Sequence, residues 1–177
     1  MASSTFTKNI QLSMGVVLIL SCLPQPSAPR LAAPITFALC AVVDYPAASE
    51  AAPLAVYAGL DSVLNALNIT TVRLPESPTI LEQHDTEARL EAFKAKLEHR
   101  GVLLEISPRF FSQMMGRQRY SIAVRLTYLS PGNSLQRLDF ELPVFLSRLG
   151  DGPHEAVDAA AEQIAERVGT WLGSKGE

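Results

Sequence analysis

Residues 120–146 read YSIAVRLTYLSPGNSLQRLDFELPVFL, and this stretch decides the fold class. Tyr120, Ile122, Val124, Leu126 and Tyr128 alternate with Ser121, Ala123, Arg125 and Thr127, the period of a strand with one face buried and one in water. Ser130-Pro131-Gly132-Asn133 sets Pro and Gly in the order of a type II turn. Leu138, Phe140, Leu142, Val144 and Leu146 then form the returning strand, with Arg137, Asp139 and Glu141 facing away. The pattern is an antiparallel hairpin with one apolar face.

That face needs cover, and flanking segments with helical periodicity supply it. Pro153–Leu172 carries Val157, Ala161, Ile164, Val168, Trp171 and Leu172 on one stripe, and Gly173 stops it. Between Pro53 and Leu67, Leu54, Tyr57, Leu60, Leu64 and Leu67 recur at helical spacing and predict a second inward face. Thr79-Ile-Leu-Glu82 has capping-box spacing. The body that follows, Thr86–Arg100, points Leu90, Phe93 and Leu97 inward and Glu87, Glu91, Lys94 and Glu98 outward, and Gly101 ends it.

Ile35–Tyr45 (ITFALCAVVDY), Ile69–Leu74 and Val102–Ile106 read as further strands. The order of strand, helix, strand, helix, three strands and helix predicts an α+β (or α/β) domain over residues 35–173. The expected architecture is a two-layer sandwich, one mixed sheet of about five strands covered by about three helices. Residues 174–177 are expected to be a flexible tail.

Composition agrees with a packed domain. Of 177 residues, 47% are hydrophobic and 19% charged, which excludes wholesale disorder. A net charge of −3 argues against nucleic acid as a partner. Two cysteines, Cys22 and Cys40, are too few for a disulfide scaffold. The apolar neighbours of Cys40 predict a buried thiol.

The first 21 residues read as a signal peptide. Lys8 precedes an apolar run over 10–20, which is too short to span a bilayer as a helix, and Pro24 follows. Ile19-Leu20-Ser21-Cys22 resembles the lipobox of bacterial lipoproteins, an aliphatic residue, a tolerant position, a small residue and the cysteine that is acylated. The resemblance implies lipidation of Cys22 and attachment to a membrane. Leu23 stands where many lipoproteins kept in the inner membrane carry Asp, so the periplasmic side of the outer membrane is the implied location. The alternatives are a secretory leader cut later, for example after Ala28, or an uncleaved apolar N-terminus. Residues 22–34, with prolines at 24, 26, 29 and 34, read as an extended tether.

The element order from Ile35 to Leu172 is similar to the small periplasmic domains of envelope secretion and assembly lipoproteins. In the curli-secretion-channel and Pel-polysaccharide group, an opening strand ending in Asp resembles Ala41-Val42-Val43-Asp44-Tyr45 here. In that group too, a late hairpin with a Pro/Gly turn precedes an alanine-rich terminal helix, as in Ala156–Leu172. The lipopolysaccharide-assembly accessory lipoproteins share the ending of helix, strands and helix. No functional residue is carried over from either group.

For chemistry, residues 106–138 stand out. They contain Arg109, Arg117, Arg119, Arg125 and Arg137 with no Asp or Glu, interleaved with Phe110, Phe111, Met114 and Met115. Guanidinium forks match phosphate and carboxylate groups, so an anionic lipid, an anionic glycan or an acidic protein face suits this mixture. The ordinary alternative is that they are outward strand residues paired with Glu76, Glu82 or Asp85. Other candidates are weaker. His84 with Asp85 and Glu87 lacks a second histidine one turn away, so no metal is expected. No serine sits in a nucleophile elbow, and Gly150-Asp151-Gly152 lacks the glycine spacing and the following Lys of a phosphate loop.

No cofactor and no catalytic residue are assigned. The expected role is a non-enzymatic accessory in transport, secretion or assembly of an envelope polysaccharide, lipopolysaccharide or protein, within an envelope protein complex. The alternatives are an oligomerising adapter of an outer-membrane complex and an envelope hydrolase.

Overall fold

The structure is a computed structural model that describes residues 35–46, 49–74, 78–98, 100–130, 134–148 and 150–174. The leader, the lipobox with Cys22, the tether, the turn at 131–133 and the last three residues of the tail lie outside the described residues.

The elements run β1 (Ile35–Asp44), β2 (Ser49–Ala51), α1 (Leu54–Ala66), β3 (Ile69–Arg73), α2 (Pro78–Leu81), α3 (Thr86–Lys94), β4 (Gly101–Met114), β5 (Arg117–Leu129), β6 (Leu135–Leu146) and α4 (Pro153–Gly173). One mixed sheet has the order β2-β1-β4-β5-β6, and β3 pairs with the first half of β1 on the same edge as β2. β1 runs parallel to β3 and β4, whereas β4, β5 and β6 form an antiparallel meander. The fold is α+β, with the hairpin of residues 120–146 at one end of the sheet and β6 as its edge strand.

The alternation in that hairpin does what its period requires. Tyr120, Ile122, Val124, Leu126, Tyr128, Leu142, Val144 and Leu146 are buried on one face, against Val56, Leu60 and Leu64 of α1 and Val157, Ile164, Val168 and Leu172 of α4. Each such aliphatic side chain contributes about 1.5–3 kcal/mol on full burial. α4 starts with Pro153 at its first position, and the Glu155 carboxylate accepts the Gly152 N–H at 2.7 Å, satisfying one of the free donors there. The two helices cross closely. A Cβ built on Gly169 would stand 2.0 Å from Cγ1 of Val63, and one on Gly59 would stand 3.1 Å from Cβ of Ala165.

Several expectations are corrected by the tertiary context. Leu54, at the start of α1, is 78% exposed rather than inward, and Leu67, at its end, is 42% exposed with its side chain lying along Gly169 and Gly173 of α4. The second helix is shorter than its pattern. α3 is capped by Asp85, whose side chain accepts the Ala88 N–H at 3.2 Å, and it stops at Lys94. Gly101 is therefore no helix terminator. It opens β4, where a Cβ would come within 2.3 Å of Leu97 and 2.8 Å of Phe93. The strand read as Val102–Ile106 continues to Met114, because beyond Ile106 it leaves β1 and pairs with β5 alone. Pro108 is tolerated along this free edge, and a bulge at Phe111 disrupts the alternation that would have revealed the strand. β2 has three residues and gave no periodic signal.

β2 and β3 leave a gap on the outer edge of β1, and Tyr57 fills it. Its hydroxyl accepts the Ala41 N–H and donates to the Ala41 carbonyl, both at 3.1 Å and buried. On the opposite face of the sheet, α2 and α3 cover Cys40, Val42, Leu103 and Leu129 with Ile80, Leu90 and Phe93. Burial pushes the Cys40 thiol up to about 11, with Arg89 opposing and Glu105 adding to the effect.

Candidate binding face

Alternation along β5 sends Arg117, Arg119 and Arg125 to the side opposite α1 and α4. Cross-strand partners share a face. Arg109 opposite Ser121 and Arg137 opposite Thr127 therefore join them. All five arginines singled out in the sequence project from one face of the β4–β5–β6 meander. The α2–α3 segment covers only the part of that face nearest β1.

The five differ in their surroundings. Arg125 lies in a row between Glu105 and Asp139. Its Nε donates to Oδ1 of Asp139 at 2.9 Å and its Nη1 to Oγ1 of Thr86 at 3.2 Å. The ordinary expectation of a carboxylate partner is met for this residue, but by Asp139 of the returning strand; Glu76 lies outside the described residues. Arg119 instead sits over two exposed rings, 4.6 Å from the centroid of Phe111 and 5.7 Å from that of Phe145. Such cation–π contacts hold a guanidinium without neutralising it. Among the described residues no ion pair joins Arg109, Arg117, Arg119 or Arg137 to a carboxylate.

A groove of about 550 Å³ opens on this face and is lined by Asp44, Thr86, Glu105, Arg109, Arg125 and Asp139, among others. Behind it lies a residue that the sequence reading missed. Arg89 is 1% exposed and donates to Oε1 of Glu105 at 2.5 Å, Oδ1 of Asp44 at 3.1 Å, Oγ of Ser49 at 3.0 Å and the Gln83 carbonyl at 2.7 Å. Glu105 is 5% exposed. Burial pushes its carboxyl above the ordinary value of 4.5, and the Arg89 hydrogen bond and charge pull it back. The traces of this network in the sequence were a charge inside each expected apolar run, Asp44 in β1 and Glu105 in β4, and an arginine on the inward stripe of α3.

Toward the β4–β5 turn the ribbon is apolar and cationic, with Phe110 on the side of α4 and Phe111 and Phe145 on the arginine face. Phe110, Phe111, Phe145 and Met115 are 58%, 66%, 63% and 97% exposed. Met115 and Gly116 turn the β4–β5 hairpin with positive φ of 52° and 76°. Elsewhere, His84 is exposed, and the described residues hold no group of three His, Cys, Asp or Glu side chains placed to bind a metal.

No family model matches the chain, and no curated protein does. Its likenesses are to solved structures. One is a minor lipoprotein from Acinetobacter baumannii, at 7% identity and TM-score 0.42, covering 80% of this chain and 94% of that one. Another is the rare lipoprotein B from Shewanella oneidensis, at 10% identity and TM-score 0.40, covering 78% and 96%. A third is PelC from Paraburkholderia phytofirmans, a dodecamer, at 12% identity and TM-score 0.38, covering 77% and 86%. At these identities no activity passes from them to this chain.

Proposed function

We propose that the chain is a lipid-anchored protein of the bacterial cell envelope. It acts there without catalysis as an accessory in the transport, secretion or assembly of an envelope component. Lipidation of Cys22 places it at the membrane, on the periplasmic side of the outer membrane, and the β4–β5–β6 face binds an anionic glycan, lipid or protein surface of its complex. The single observation behind this reading is that five arginines from an acid-free stretch share one face, with four of them unpaired among the described residues. Guanidinium groups in such an array meet phosphate and carboxylate oxygens in pairs.

The test has two parts. Mass spectrometry of the mature N-terminus is expected to find it at Cys22 with acyl chains attached; an unmodified residue there would remove the anchor. Binding of purified lipopolysaccharide is then compared between the parent chain and an Arg109→Glu/Arg119→Glu variant. Arg125 is left alone, because Glu at that position would stand in a row with Glu105 and Asp139. The variant is expected to bind roughly tenfold more weakly or worse, a loss of about 1.4 kcal/mol. Equal binding would sink the arginine face while leaving the anchor standing.

A further inference from the structure

The end of the β4–β5 hairpin has a composition and a geometry that the rest of the face lacks. β1 pairs with β4 only as far as Ile106, which leaves β4 a free edge from Ser107 on, whereas β6 accompanies β5 to Gln118, so that only the turn and Arg117 pass beyond it. The apex at Met115 thus stands nine residues past the end of β1, roughly 30 Å along the strand. Exposed apolar side chains are found there on both sides of the ribbon. Phe110 meets Tyr120 edge-on at 5.6 Å on the side of α4, whereas the bulge turns Phe111 to the other side under Arg119. Met115 is at the apex itself. Arg109, Arg117 and Arg119 lie on the Phe111 side of the ribbon; from Ser107 to Ala123 the sequence has no Asp or Glu, and Glu141 of β6 reaches this face at Ser121, opposite Arg109.

We infer that this hairpin end docks on the surface of an anionic lipid bilayer. The inference rests on the arginine face proposed above and names its occupant. Charge complementarity is the first argument: three arginines that no ion pair joins to a carboxylate among the described residues are attracted to an anionic headgroup layer, by about 1 kcal/mol for each residue near the surface. The second is the placement of the apolar groups. A single flat protein face would cover one side of the ribbon and leave Phe110 or Phe111 in water, whereas a headgroup zone surrounds an inserted end and takes up both. Arginine stems bury alongside while their guanidiniums stay at phosphate level.

The third argument is the number of membrane signals. A lipid on Cys22 and a cationic hairpin end would be two, the combination that gives stable attachment.

The experiment uses the full chain with Met115→Cys carrying an environment-sensitive fluorophore, and the parent chain supplies the background from other thiols. Vesicles are phosphatidylcholine alone or mixed with phosphatidylglycerol. Emission is expected to shift to the blue on the anionic vesicles only, to return in high salt, and to need at least about tenfold more lipid when Arg117 and Arg119 are changed to Gln. A probe that stays in water on both vesicles while the protein floats with them would overturn the hairpin contact and leave the anchor intact. A blue shift by a chain that mass spectrometry finds without lipid would support the contact and remove the anchor. An equal response to inorganic phosphate alone would overturn it in favour of a small-anion site.

Discussion

Arg89 and Glu105 form an ion pair at 2.5 Å with both side chains closed off from solvent, 16 residues apart in sequence and joined only when α3 packs on β1 and β4. This pair fixes the floor of the groove. It also links α3 to Asp44 and Ser49 near the sheet edge.

Removing one partner leaves a buried charge. Arg89→Ala is expected to destabilise the fold by about 3–5 kcal/mol. The double variant Arg89→Met/Glu105→Leu, apolar on both sides, is expected to recover most of that loss. Urea denaturation of the three proteins checks the order, and a double variant as weak as the single one would refute it.

Glu105 also makes stability depend on pH. Its carboxyl is raised above 4.5 by burial, so the folded state holds its proton more tightly than the unfolded state does. This contribution to stability is present in full below 4.5 and is lost as pH rises through the folded value. Arg89→Ala removes the larger part of what opposes the shift, leaving Arg125, and widens the window upward. The variant is expected to regain stability between neutral pH and mild acid more than the parent does, read from denaturation midpoints at a series of pH values.

Tyr57 closes the edge of β1 between β2 and β3. Tyr57→Phe leaves the Ala41 N–H buried without this acceptor, which costs about 1–3 kcal/mol. Amide hydrogen exchange at Ala41 is expected to accelerate in step with the loss of stability.

The crossing of α1 and α4 has no room at Gly169. Gly169→Ala places a methyl 2.0 Å from Cγ1 of Val63, so the helices must separate or Val63 must turn. The expected cost is about 1–3 kcal/mol despite the better helix propensity of alanine. Adding Val63→Ala is expected to restore the midpoint.

Cys40 is a test of core integrity. With its thiol pushed up to about 11 by burial, it is expected to resist a disulfide reagent at neutral pH and to react only when the protein unfolds. Fast labelling of Cys40 in the folded chain would contradict the packing of α3 against β1.

The elements that were legible in the sequence share one property: their pattern is local and unbroken. The Tyr120–Leu146 alternation and the α4 stripe show which side chains turn inward before any partner is known. The alternation fails where geometry changes along one strand, as at the Phe111 bulge in β4, and where an element is too short to have a period, as in β2. The candidate face was half legible. An arginine-rich, acid-free stretch from 106 to 138 is visible in the letters, but that Asp139 meets Arg125 and Glu141 meets Ser121 follows only from the β5–β6 register.

By itself, the sequence determined a two-layer domain of helices on a sheet, the inward faces of the hairpin and of α4, and the abundance of arginine in one segment, because periodicity along the chain is set by strand and helix geometry alone. Only the tertiary structure decided that five arginines share a side, that Asp139 claims Arg125, that Arg89 is sealed against Glu105, and that Phe110, Phe111 and Phe145 are exposed near the β4–β5 turn. Those relations depend on register and on which helix covers which face. They are fixed by burial over the whole domain, and no window of neighbouring residues contains them.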